Sequence, residues 1–146
     1  MAYIDRDGVK IHYEVAGNGP AVVLSHGYSA TAGMWRPQVP VLSERYRVIT
    51  WDMRGHGESD SPDDPALYSE AHSCADIAAI LGELGIAKAV IGGLSLGGYT
   101  SLAFNVRYPA MVQALMLFDT GPGYRNPKAR DGWNETAERR AVNFET

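Results

Sequence analysis

The chain has 146 residues and a mass of 15.8 kDa, which suits one globular domain. Its 45% hydrophobic and 21% charged residues are typical of a folded protein, and its net charge of −4 offers no basic surface for nucleic acid or an anionic membrane. The single cysteine, Cys74, excludes an internal disulfide, and no Cys or His pair has zinc-ligand spacing. No segment has the apolar run of a signal peptide or a membrane span. These features predict a cytoplasmic protein without a structural metal.

The first predicted elements are strands. Residues 9–15 alternate between apolar and polar side chains and lie between turn signals at Asp7-Gly8 and 17–20, which predicts an opening hairpin. Continuous apolar runs, typical of strands buried on both faces of a parallel sheet, follow at four places. They cover residues 21–24, 46–51, 88–92 and 112–118.

Helical spacing separates these strands. One apolar stripe, ended by Gly85, consists of Ile77, Ile80, Leu81 and Leu84. A second stripe, ended by Pro109, consists of Leu96, Tyr99, Leu102, Ala103 and Val106. Residues 31–44 predict a weaker helix, interrupted by two prolines. The alternation predicts an α/β fold, with a mostly parallel sheet and flanking helices.

The segment Gly93-Leu94-Ser95-Leu96-Gly97 lies where a predicted strand ends and a helix begins. A sharp turn there would lift the Ser95 hydroxyl off the sheet and leave no room for Cβ atoms at Gly93 and Gly97. The helix N-terminus would offer unpaired N–H groups to a developing oxyanion. The alternative is a plain glycine-rich turn with a capping serine. A dinucleotide site is not predicted, because Ser95 stands where the fingerprint requires its middle glycine.

The segment His26-Gly27-Tyr28 follows a neighbouring strand, at the sheet edge where α/β proteins bind ligands. The N–H groups of Tyr28 and Leu96 can together form a two-donor oxyanion hole. We interpret His26 as a residue that locks its loop, because a catalytic base must approach Ser95 from a separate loop.

Residues 52–60 follow the strand that ends at Trp51, and their glycines indicate a tightly folded loop. We expect Asp52 and Arg54 to form a charge pair within it. No metal role is expected for His56 or Glu58, since nothing nearby completes a ligand set.

These three segments, in this order, resemble the α/β-hydrolase superfamily, specifically its esterase-like members that carry a cap. Residues 26–28 resemble its oxyanion motif, 52–59 its Asp-x-Arg-Gly-x-Gly-x-Ser loop and 93–97 its Gly-x-Ser-x-Gly elbow. The resemblance implies serine hydrolysis of a small-molecule ester without a cofactor. It also implies that residues 1–120 form the N-terminal part of the core domain and that 121–146 begin the cap region.

The catalytic histidine of this superfamily follows the nucleophile in the chain. Here all four histidines precede Ser95. The resemblance therefore implies a fold truncated after the sixth strand, 112–118, whose open edge could pair with a second copy of the chain. Asp119 ends that strand and is interpreted either as the triad acid or as a turn-capping residue.

The sequence therefore predicts a hydrolase of carboxylic esters or lactones that forms an acyl-enzyme on Ser95. Epoxide hydrolases and dehalogenases of this superfamily carry Asp at that position, and perhydrolase-like members usually carry Met where Leu96 stands, so the resemblance disfavours both. Carbon–carbon bond hydrolases and thioesterases are alternatives within the class. The alternative from another class is a non-catalytic hydrolase-fold fragment that binds a ligand or a partner chain.

Overall fold

The computed structural model describes residues 2–144, which contain six strands in one sheet of order β1-β2-β4-β3-β5-β6. The strands are β1 (Ala2–Arg6), β2 (Val9–Ala16), β3 (Ala21–Ser25), β4 (Arg47–Trp51), β5 (Ala89–Leu94) and β6 (Val112–Phe118). The α-helices are α1 (Val39–Ser43), α2 (Glu70–Glu83), α3 (Leu96–Arg107) and α4 (Pro127–Phe144). Short 3-10 turns cover Ala32–Trp35, Pro65–Leu67 and Pro109–Met111.

The sheet is antiparallel at one side and parallel elsewhere. Strands β1 and β2 form the predicted hairpin, whose turn places Asp7 and Gly8 at positive φ. Strand β2 also pairs antiparallel with β4, whereas β4, β3, β5 and β6 pair in parallel. The mostly parallel α/β sheet predicted from the apolar runs is thus confirmed.

Helices cover both faces of the sheet. Successive residues of β3 point to opposite sides: Val23 joins the core packed against α2, whereas Val22 and Leu24 join a second cluster with Trp35. All five residues of β3 are buried, as expected for a central parallel strand. Of the helices in residues 2–144, none combines the length and apolarity needed to cross a membrane.

The predicted stripe of α2 is confirmed, whereas that of α3 is only partly right, since Ala103 is buried and Leu96 packs against the core but Val106 does not. Val106 is 80% exposed. The buried positions of α3 are mostly small or polar: Gly97, Gly98, Thr100, Ser101, Ala103 and Phe104. Small residues let this helix lie close to β3, and the hydroxyls of Thr100 and Ser101 donate to carbonyl oxygens one turn earlier, at 2.9 and 2.7 Å. Their burial therefore leaves no donor unsatisfied.

Strand β6 lies at the sheet edge, and within residues 2–144 it pairs with β5 alone. Leu117 and Phe118 are 43% and 38% exposed. We expect the purified chain to self-associate at tens of micromolar, because an exposed apolar edge strand pairs readily with another chain. Light scattering measures this. Leu117→Lys should restore the monomer, whereas Val106→Lys, an equal change on exposed α3 surface, should not. A monomeric unsubstituted chain would refute the expectation.

Candidate active site

Ser95 occupies the turn between β5 and α3. Its φ of 51° and ψ of −111° are unusual for a residue with a side chain, and the residue is exposed. The Ser95 N–H donates to the Phe118 carbonyl at 3.0 Å, and the Ser95 carbonyl accepts from the Tyr99 N–H at 2.9 Å and the Thr120 hydroxyl at 2.6 Å. Backbone strain of this kind costs about 1–3 kcal/mol and persists where surrounding contacts fix it. Here β6 and α3 supply those contacts.

Three glycines make this turn possible. A Cβ at Gly93 would lie 2.4 Å from the carbonyl carbon of Gly97, and one at Gly97 would lie 2.2 Å from the carbonyl oxygen of Ser25. Both obstacles are backbone atoms, which cannot rotate away. Gly98, which the sequence analysis did not single out for the turn, is restricted too, since its Cβ would lie 2.4 Å from Thr120 Cγ2.

The segment 26–28 lies directly against this turn. A Cβ built on Gly27 would lie 3.5 Å from the Leu94 carbonyl oxygen and 3.7 Å from Ser95 Cβ. Tyr28, Ser95 and Leu96 line the same cavity. Leu96 is the first residue of α3, so its N–H has no acceptor within the helix. An oxyanion hole formed by the Tyr28 and Leu96 amides stays a prediction.

His26 is fully buried between two loops. Its Nδ1 lies 2.8 Å from the Gly27 carbonyl oxygen, and its Nε2 accepts the Met53 N–H at 3.0 Å, so Nδ1 carries the proton. Burial lowers the pKa of His26, although the bond to the Gly27 carbonyl opposes that shift. The neutral ring therefore joins the loop after β3 to the loop after β4.

Acid should weaken the fold through His26. Its folded pKa lies below the ordinary value of 6.5, so its contribution is complete above pH 6.5 and is lost as pH falls through the folded value. One proton gives a slope of at most about 1.4 kcal/mol per pH unit. We expect the free energy of unfolding, measured with urea between pH 8 and 5, to depend less steeply on pH in His26→Gln. The glutamine amide can donate and accept hydrogen bonds but does not titrate. Equal slopes in both proteins would contradict this.

The predicted pair between Asp52 and Arg54 is wrong. The Asp52 carboxylate accepts the Ala32 N–H at 2.6 Å and the Glu58 N–H at 3.1 Å, and it bonds His12 Nδ1 at 2.8 Å. Burial raises the pKa of Asp52, but these bonds outweigh burial and hold it below the usual range. A buried carboxylate forms hydrogen bonds with the donors that the fold places beside it. For Asp52 these donors are two backbone amides and His12.

Arg54 instead bonds Asp76 of α2 through two nitrogens, Nε and Nη2, each at 2.8 Å. The planar guanidinium matches both carboxylate oxygens at once. The Arg54 side chain thus ties the loop to the helix layer, while other bonds, such as that from the Glu58 N–H to Asp52, hold the loop together. Among residues 2–144, no three His, Cys, Asp or Glu side chains are grouped closely enough to hold a metal ion.

A cavity of about 470 Å³ opens above the turn. It brings together four residues singled out from the sequence: Tyr28, Ser95, Leu96 and Asp119. Six others that line it were not predicted as site residues: Tyr99, Thr120, Gly121, Gly123, Tyr124 and Trp133. Tyr99 follows Ser95 by one helical turn, and that spacing could have predicted that Tyr99 lies beside Ser95. Nothing in the local sequence points Trp133 of α4 toward Ser95.

Asp119 lies on the cavity wall, exposed and with a positive φ of 42°. Its role as triad acid stays a prediction. Each of the four histidines is held elsewhere, by Asp52, Gly27, Arg54 or Ser69. Within residues 2–144, no histidine lines the cavity.

The comparison with protein families agrees with this fold. Residues 20–146 match the family model described as alpha/beta hydrolase fold. The chain therefore belongs to the α/β-hydrolase family.

Particular relatives are hydrolases of two kinds. The chain is 35% identical over 136 residues to 3-oxoadipate enol-lactonase 1 of Acinetobacter baylyi, covering 92% of this chain and 49% of the relative. It is 36% identical over 116 residues to bifunctional epoxide hydrolase 2 of Sus scrofa, covering 79% of this chain and 21% of the relative. The enol-lactonase structure from Burkholderia xenovorans superposes with a TM-score of 0.76 at 35% identity, covering 82% of this chain and 46% of that one. The chain thus spans about half or less of the length of these relatives.

Proposed function

We propose that the chain carries the nucleophile of a serine hydrolase that cleaves carboxylic esters or lactones. Ser95 Oγ attacks the carbonyl carbon and loses its proton to a base, while the Tyr28 and Leu96 N–H groups stabilise the oxyanion. Cleavage of the ester C–O bond releases the alcohol, protonated by the conjugate acid of that base. Water then releases the acid from the acyl-serine. In a lactone the alcohol stays attached to the acyl chain.

The observation that carries this proposal is the conformation of Ser95. A strained, exposed serine at a helix N-terminus, on the floor of a cavity and beside the Gly27 backbone, is costly for a purely structural role. It suits a nucleophile, which must be accessible and aimed at one point.

The two kinds of relative bear on the bond that is cleaved. The enol-lactonases are named for a lactone, which is an internal ester. Epoxide hydrolases of this superfamily carry Asp as nucleophile, whereas position 95 is Ser. We therefore favour ester or lactone cleavage over epoxide opening.

The second candidate is a non-catalytic fragment that binds a ligand or partner chain. The absence of histidine from the cavity, within residues 2–144, favours it. The first candidate needs a base from outside this chain, because all four histidines are bound elsewhere.

A fluorophosphonate probe followed by peptide mass spectrometry separates the two candidates. We expect slow but selective labelling of Ser95, which Ser95→Ala abolishes. Ser29→Ala is the matched control, because Ser29 is also exposed with a positive φ of 57° but does not begin a helix. Labelling should survive that change. An unlabelled Ser95, even with added imidazole, would favour the non-catalytic candidate.

A further inference from the structure

We propose that the cavity above Ser95 selects esters or lactones that bear an uncharged ring and rejects anionic ones, with Trp133 as a specificity-determining residue. This inference rests on the proposed function, since it concerns what is bound beside Ser95.

Aromatic rings from three separate segments meet at this cavity. Tyr28 follows β3, Tyr124 lies in the loop before α4, and Trp133 lies on α4. The Tyr28 and Trp133 ring centroids are 5.8 Å apart at 69°, and those of Tyr124 and Trp133 are 6.3 Å apart at 33°. Rings at such angles give a bound ring both a face to stack on and an edge to meet. The site therefore suits a flat apolar group.

The charge of the residues that line the cavity also favours an uncharged ligand. Asp119 is the one charged side chain among the lining residues of the described chain, and no Lys or Arg accompanies it. An anionic group here would be desolvated beside apolar rings and would face a carboxylate without a compensating cation. A neutral ring incurs neither penalty.

Trp133 retains surface that the fold does not use. Its side chain is 40% exposed although it packs on Tyr28. Elsewhere along α4, Thr136 and Ala137 are only half-buried and most described residues are exposed. The indole is therefore available to a ligand.

Tryptophan fluorescence can report this binding selectively. The chain has three tryptophans, and Trp35 and Trp51 are 7% and 0% exposed, so a ligand in the cavity should quench Trp133. The titration uses Ser95→Ala, with methyl phenylacetate compared against the same ester carrying a carboxylate on its ring. We expect the anionic ester to bind at least about tenfold more weakly. Equal affinities would overturn the inference.

Matched variants show which tryptophan gives rise to the fluorescence quenching. In the Ser95→Ala background, Trp133→Phe should abolish the quenching and keep ring packing on Tyr28, whereas Trp35→Phe should leave the quenching intact. Calorimetry on Tyr124→Leu, a change at a side chain 54% exposed, should show affinity for the neutral ester reduced several-fold. Quenching that survives Trp133→Phe, or unchanged affinity in Tyr124→Leu, would overturn the inference.

The two proposals fail in different ways. The titration requires no reaction at Ser95, so selective binding with an unlabelled Ser95 would overturn the proposed function alone. A labelled Ser95 with equal affinity for both esters would overturn the ring selectivity alone.

Discussion

Imidazole added to the chain should accelerate the hydrolysis of 4-nitrophenyl acetate, and the acceleration should require Ser95. No histidine lines the cavity within residues 2–144, so Ser95 lacks the base that makes a hydroxyl nucleophilic. A positioned base contributes about 10²–10⁴-fold, and the members of a triad act as a unit. Imidazole in solution is not held beside Ser95, so we expect it to raise the Ser95-dependent hydrolysis rate by only about tenfold.

The control for this experiment is Ser95→Ala, which reports the hydrolysis that imidazole catalyses by itself. Ser29→Ala should respond to imidazole as the unsubstituted chain does. Saturation of the rate with imidazole concentration would indicate binding in the cavity. Rapid hydrolysis without imidazole would contradict the argument, and would indicate a base from this chain or from a second copy.

Strands β3 to β6 could be predicted from the sequence because each contains a short apolar run near turn residues, and β2 could be predicted from its alternation of apolar and polar residues. The α2 stripe could be predicted for a similar reason: Ile77, Ile80 and Leu81 are large, apolar and correctly spaced. Most of the buried face of α3, apart from Ala103, could not be predicted. Apolar spacing favours Val106, whereas close approach to β3 requires glycine at position 97, where a Cβ would lie 2.2 Å from the Ser25 carbonyl oxygen. A pattern of hydrophobic residues does not indicate where a helix must approach a strand closely.

The residues of the candidate site also include some that the sequence predicts and some that it does not. Ser95, Leu96 and Tyr28 could be singled out because each belongs to a short segment next to a strand end. Trp133 could not, since its place over Ser95 depends on how α4 packs. The partner of Arg54 was missed for a related reason: Asp76 lies 22 residues away on a helix, and spacing within the loop favoured Asp52.

Asp76→Asn should be the most destabilising isosteric change in the chain. Asp76 is fully buried and Arg54 is 5% exposed, with two bonds of 2.8 Å between them. The hydrogen bonds that Arg54 donates to Asp76 raise the pKa of Arg54, so the guanidinium cannot escape by losing its proton. Removing one partner of a buried ion pair costs about 3–5 kcal/mol. That is a large fraction of the roughly 5–15 kcal/mol that holds a typical domain folded.

Urea unfolding of matched variants tests this. Glu70→Gln makes the same carboxylate-to-amide change in a pair with Arg107 whose side chains are 34% and 45% exposed, and should cost no more than about 1 kcal/mol. Arg54→Met with Asp76→Leu should recover much of the lost stability, because it removes both fully buried charges and leaves only Arg6, 3.5 Å from Asp76 and 27% exposed, without its partner. A cost for Asp76→Asn similar to that of Glu70→Gln would refute the argument. Arg54 follows Met53, whose N–H is bonded to His26, so loss of the ion pair should also loosen the loop beside Ser95.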